Sequence, residues 1–248
     1  MKTTLTLLFV ISTFLNAQTI NIAVAANVSY AIDELKAEFL KTHPDTKVQV
    51  TLGSSGKLTA QIKNGAPYGL FMSANMKYPE ALYSQKMAIT KPAVYARGAL
   101  AYLSVKNQDF SKGVNLLKEK TIKRIAIANP KTAPYGKAAF EALKSAKVYE
   151  DIKSKFVYGE SISQTLTYTV MAADIGMVAK SLLYSSKMAQ YKEGMNWICV
   201  DLKLYTPIEQ GVVLLKFSKN ASEYRAFYDF IFSEPAKKIF KKYGYIIL

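Results

Sequence analysis

The chain has 248 residues, 50% of them hydrophobic and 21% charged, with a formal net charge of +15. That balance excludes a disordered chain, and the length admits two domains of similar size. A single cysteine and a single histidine exclude an intramolecular disulfide, a zinc cluster and a Cys/His dyad.

The first seventeen residues differ in kind from the rest. Lys2 supplies a positive start, Leu5 to Leu15 is a mostly apolar run without charge, and Asn16-Ala17 closes it before Gln18. This is the pattern of a secretory signal peptide cleaved after Ala17. Residues 1–17 are therefore set aside, and the mature chain is expected to be exported to the periplasm. No later stretch approaches the ~20 apolar residues of a membrane helix. The lysines are scattered through every segment; Lys237-Lys238 and Lys241-Lys242 sit at helical spacing and read as a solvated face. Without a basic run interleaved with aromatics, no nucleic-acid partner is expected.

From Ile20 the pattern alternates strand and helix. Ile20, Ile22 and Val24 have period two, and Val28, Ala31, Ile32, Leu35 and Phe39 follow helical spacing from Asn27 to His43-Pro44. Val48, Val50 and Leu52 form a second strand, leading through Gly53-Ser54-Ser55-Gly56 into a helix with Leu58 and Ile62 that ends at Asn64-Gly65. Leu70 to Met72 is a third strand, with a helix from about Pro79. Val94 to Val105 reads as a long strand broken at Arg97-Gly98. Beyond it come a strand at Arg124–Ala128, a helix from Pro134, a strand at Phe156–Tyr158 and a helix with Ile162, Leu166 and Val170. Gly176–Ala179 and Trp197–Val200 complete that group; Cys199, in the apolar run, is expected to be a small buried hydrophobe. Ile208 to Phe217 reads as a second long strand, followed by two closing helices. The alternation predicts an α/β protein built from parallel βαβ units. The two long strands are expected to cross between a first domain of residues 18–95 plus 206–248 and a second of 96–205, leaving a cleft between them.

Three segments share one arrangement, in which a strand ends, small or polar residues follow and a helix begins. They are Ala25-Ala26-Asn27-Val28-Ser29, Gly53-Ser54-Ser55-Gly56-Lys57 and Asn129-Pro130 through Tyr135-Gly136. A helix start leaves N–H groups unpaired and carries partial positive charge, so an oxyanion can approach, and a Ser, Asn or Tyr side chain adds a donor. Each segment also serves as a plain N-cap, with Asn27, Ser54 or Ser55 capping and Pro134 in the first turn. The glycine-serine turn is not a nucleotide loop, because Thr51 holds the first glycine position and Leu58 the hydroxyl position. His43 reads as surface loop and the pairs Asp33-Glu34 and Glu150-Asp151 as helix surface, so no catalytic residues and no cation site are assigned.

The same three segments, with Gln61 to Pro67, Phe71-Met72-Ser73-Ala74 and Phe240 to Tyr245, resemble the periplasmic molybdate-binding proteins of ABC transporters along the whole mature chain. The resemblance implies a two-domain periplasmic-binding-protein fold of type II. Each domain would be a mostly parallel sheet flanked by helices, with the ligand in the cleft. It implies a monomeric, non-enzymatic protein without cofactor that captures molybdate or tungstate and delivers it to a membrane-embedded permease. Carried over by position, the ligand contacts fall on Asn27, Ser55, Tyr135 and the backbone N–H of Ile162, supported by Ala26, Ser54, Gly56 and Ser161. Two positions depart from the family. Ala179 lacks the tyrosine hydroxyl some members place there, which Tyr135 supplies in a subset of the family, and Pro67-Tyr68-Gly69 replaces the usual Pro-Ala-Asp. The expected site holds its anion by neutral donors alone, which disfavours a protonated phosphate. The alternatives are a receptor for sulfate, phosphate or another oxyanion, an exported α/β enzyme, and a basic adhesion or nucleic-acid protein.

Overall fold

A computed structural model of the protein describes residues 18–219 and 221–248. The expected signal peptide, residues 1–17, lies outside the described residues. The chain opens with β1 (Gln18–Ala25), whose Ile20, Ile22, Ala23 and Val24 are fully buried, as a central strand covered on both faces requires. A one-turn 3-10 segment at Ala26–Val28 separates it from α1 (Ile32–Leu40). There follow β2 (Thr46–Gly53), α2 (Ser55–Lys63), β3 (Leu70–Ser73), α3 (Lys77–Ser84) and β4 (Ala93–Gly98).

Only Ala99 separates β4 from β5 (Leu100–Leu103), yet the two strands belong to different sheets. The second group comprises β6 (Ile125–Ala128), α4 (Pro134–Ser145), α5 (Tyr149–Ile152), β7 (Phe156–Gly159), α6 (Ile162–Met171), β8 (Ile175–Ala179), α7 (Lys180–Leu183) and β9 (Trp197–Cys199). The chain then returns through β10 (Ile208–Leu214) to the first sheet and closes with α8 (Ser222–Ile231) and α9 (Glu234–Lys242).

The first sheet has the order β2-β1-β3-β10-β4 and the second β7-β6-β8-β5-β9. In each, the first two pairings are parallel and the last two antiparallel. The sheets are thus mixed, where βαβ units alone would make them parallel. β5 and β10 enter their sheets directly from the other lobe, so no crossover helix fixes their direction. Each lobe has its own apolar core. Ile22, Leu35, Phe39 and Phe227 pack in the first, and Leu103, Ile125, Leu143 and Met177 in the second.

Three local expectations are corrected. The first helix starts at Ile32, because Ala26–Val28 forms its own turn and Asn27 caps nothing. The strand from Ile208 ends at Leu214; Lys216–Ser218 is a 3-10 turn, and Phe217 is exposed. Cys199 is exposed at the end of β9, a three-residue strand at the edge of its sheet. His43 lies past α1 with its ring stacked on Phe39 at 4.3 Å between centroids.

Candidate functional site

Four helix starts meet between the lobes. The first lobe contributes the 3-10 turn after β1 and the start of α2; the second contributes the starts of α4 and α6. Together they line a small pocket, about 190 Å³ of atom-free space including its opening to solvent, bordered by Asn27, Ser55, Tyr135 and Ile162, with Ala26 and Ser54 beside them. The supporting residues Gly56 and Ser161 stand behind this lining.

Local sequence explains each approach. Ser54 caps α2, its Oγ accepting from the Lys57 N–H at 3.4 Å, which leaves Ser55 as the first helical residue. Ser161 caps α6 in the same way through Gln164 at 3.2 Å, leaving the Ile162 N–H first. Pro134 is first in α4 and has no N–H, so Tyr135 offers the leading backbone donor there. These groups have no intrahelical carbonyl to bond. The Ser55 Oγ accepts from the buried Ala74 N–H at 3.0 Å, so its own hydrogen remains free to donate.

Electrostatically the cavity is neutral in side chains and positive in backbone. No Lys, Arg, Asp or Glu lines it, while four helix starts direct partial positive charge inward. Burial holds the Tyr135 hydroxyl well above its ordinary value of 10.0, with the neighbouring Tyr245, Tyr95 and Tyr205 hydroxyls adding to the effect. It is therefore a neutral donor near neutral pH. This hydroxyl lies against Gly98, where a Cβ would overlap it; it makes no hydrogen bond of good geometry among the described residues, with the Ser181 side chain its nearby polar neighbour.

Asn27 does not act as its residue type suggests. Its side-chain Nδ2 donates to Gln210 Oε1 at 2.8 Å and to the Tyr245 hydroxyl at 2.8 Å, so both amide hydrogens are spent at the hinge. What remains to Asn27 is its backbone N–H and an unpartnered, buried Oδ1. With both amide hydrogens committed within the protein, the backbone N–H is the donor Asn27 has left.

The lobes touch directly around the cavity. The N–H of Gly56, one of the supporting residues, donates to the Thr132 carbonyl of the opposite lobe at 2.9 Å. Ser163 Oγ donates to the Ala26 carbonyl at 2.8 Å, Ser181 Oγ to the Asn27 carbonyl at 2.9 Å, and Lys57 approaches Glu160 at 3.5 Å. This is a closed arrangement. Sequence reasoning missed Thr132, Ser181, Gln210 and Tyr245. Thr132 and Tyr245 lie in stretches singled out above without being assigned a role, and Gln210 is one of two polar residues in the otherwise apolar run from Ile208 to Leu214.

Two lobes joined by crossing strands and closed over a donor-lined cavity define a solute-binding protein. The chain belongs to the family of bacterial extracellular solute-binding proteins, whose family model matches residues 20–246. It is 35% identical over 233 residues to the molybdate-binding protein ModA of Azotobacter vinelandii, covering 92% of this chain and 90% of that one. The ModA of Rhodobacter capsulatus is also 35% identical, over 226 residues covering 90% and 86%. Among solved structures, the periplasmic molybdate-binding protein of Azotobacter vinelandii superposes with a TM-score of 0.86 at 29% identity, covering 92% of this chain and 99% of that one.

Proposed function

We propose that the protein is the extracytoplasmic receptor of a molybdate or tungstate transporter, binding the free dianion between its lobes and handing it to an ABC permease. The observation that carries this reading is the cavity itself, uncharged in its side chains and built from four helix starts, two from each lobe. A tetrahedral dianion needs donors on several sides, and this arrangement supplies them without a counter-ion. The ligating groups are the Asn27 N–H, the Ser55 hydroxyl and N–H, the Tyr135 N–H and hydroxyl, and the Ile162 N–H. Ala26, Ser54, Gly56 and Ser161 shape the turns that present them. Hydrogen bonds to a charged group contribute roughly 1.5–3 kcal/mol each. Several together exceed the ~8 kcal/mol of micromolar binding after dehydration and closure are met.

The lobes in this reading are residues 18–95 with 206–248, and 96–205. The end of β4 carries the crossing between them. Residues 1–17 direct export to the periplasm, and the mature protein works as a monomer, without cofactor and without turnover. One observation favours a second reading. The buried, unpartnered Asn27 Oδ1 is an acceptor, which suits a protonated oxyanion such as hydrogen phosphate.

Calorimetric titration with molybdate, tungstate, sulfate and phosphate separates the two. One-to-one binding of the first two alone supports the proposal; phosphate binding establishes the second reading. Silence toward all four overturns both.

A further inference from the structure

Behind the cavity lies a buried polar cluster that the ligand contacts do not account for. Asn27 is 1% exposed, Gln210 0%, and Tyr245 and Ser181 4% each. Gln210 sits on β10 where the register with β4 shifts between Gln210 and Gly211; such a bulge re-aims a side chain. Tyr245 arrives by another route. The last residues of the chain pair with the crossing strand, Arg97 and Ile246 exchanging both backbone bonds at 2.8 and 2.9 Å.

The directions of the bonds in this cluster are forced. The Gln210 Nε2 donates to the Ile208 carbonyl at 2.9 Å, so its Oε1 is the atom that meets Asn27. The Tyr245 hydroxyl gives its only hydrogen to the Asn27 carbonyl at 2.9 Å, so it must accept from the Asn27 side chain at 2.8 Å. Two acceptors thus fix the carboxamide with Nδ2 toward the hinge. The Asn27 carbonyl also accepts from Ser181 at 2.9 Å, so the peptide is held by both lobes.

Resting on the oxyanion reading above, we propose that Gln210 and Tyr245 are positioning residues for the site. They immobilise the Asn27 carboxamide and the peptide that follows its Cα, so that the N–H on the other side of that Cα meets the anion already aimed. The donor is set before the ligand arrives, and its ordering cost is met by folding rather than by binding. Without these two acceptors the carboxamide turns to find other partners and the peptide tilts with it.

The test uses the full mature chain and molybdate as the probe. Tyr245→Phe keeps the ring that packs edge-on against Phe240 at 5.5 Å, and Gln210→Met keeps the volume of the side chain. Each is expected to weaken molybdate binding about ten-fold, the size of one lost buried hydrogen bond. Gln210 acts through the Asn27 carboxamide, so in an Asn27→Ala background the Gln210→Met change should cost almost nothing further. A merely structural role would lower the melting temperature and leave that difference between backgrounds at zero. Affinities equal to the unaltered protein in both single variants, or a Gln210→Met loss just as large in the Asn27→Ala background, overturn the assignment. If Gln210→Met fails to fold, Tyr245→Phe decides alone. Failure of the unaltered protein to bind any oxyanion sinks the transporter reading and this assignment together; binding with unaffected variants sinks only this one.

Discussion

Ser55 and Tyr135 both face the cavity, but their hydroxyls are used differently. The Ser55 Oγ satisfies the buried Ala74 N–H, so Ser55→Ala leaves that donor unpaired. The expected cost is about 1–3 kcal/mol of stability together with weaker anion binding, read by denaturant unfolding beside titration. The Tyr135 hydroxyl satisfies no buried backbone group; its one polar neighbour is the Ser181 side chain. Tyr135→Phe should therefore shift the unfolding midpoint less than Ser55→Ala does, so that a loss of affinity beyond that shift reports the anion contact. The tyrosines of the hinge give a second expectation. Burial holds the Tyr95, Tyr135 and Tyr245 hydroxyls above their ordinary 10.0. The unfolded chain then ionises first as pH rises. Their contribution to stability is complete below pH 10 and is lost progressively above it, so melting temperatures should hold up to that pH and fall beyond it. At this scale the strand-to-helix turns pointed to Ser55 and Tyr135, and the family resemblance alone to Ile162; the structure brings all three to one pocket. It could not reveal how Asn27 is used, because the partners that occupy its amide lie 183 and 218 residues away.

Among the elements, α2 carries a backbone-to-backbone contact between the lobes, from the Gly56 N–H to the Thr132 carbonyl. A Cβ at Gly56 would lie 2.8 Å from the Thr132 carbonyl oxygen and 2.9 Å from the Tyr78 hydroxyl, closer than real Cβ atoms pack against backbone. Gly56→Ala should fold normally, because the helix start itself is unstrained, but the lobes should no longer close fully. Small-angle scattering in saturating molybdate would show an open particle, with affinity reduced. A closed particle with native affinity would show that the contact is incidental. Helices and strands were largely legible where their apolar periods matched their burial, as at Ile20, Ile22 and Val24 on β1 or Leu58 and Ile62 on α2, and less so on β2, where Val48 is buried but Leu52 is exposed. Strand direction was not. Whether β5 and β10 run parallel or antiparallel depends on the lobe from which they arrive, and that is invisible in local periodicity. The start of α1 was also misread because the Ala26–Val28 turn shares the apolar spacing of the helix that follows.

For the molecule as a whole, the net charge of +15 for the full chain and the uncharged cavity predict different responses to salt. The exposed lysines steer anions toward the cleft at long range, whereas the contacts that hold the anion are buried and neutral. Stopped-flow association should slow as ionic strength rises, with dissociation nearly unaffected. Equal slowing of neither phase would mean that the surface charge takes no part in capture.

The crossing strands have one more consequence, and it concerns the time at which the molecule becomes a receptor. The second lobe is a continuous stretch of chain, and its sheet can assemble as soon as that stretch is available. In the first lobe β3 waits for β10, more than 130 residues later in the chain, and until then presents an unpaired edge to its surroundings. Contacts so distant in sequence form slowly. The first-lobe strands are therefore the aggregation-prone part of the folding chain, and competence to bind is acquired last, when β10 and the segment bearing Tyr245 fall into place.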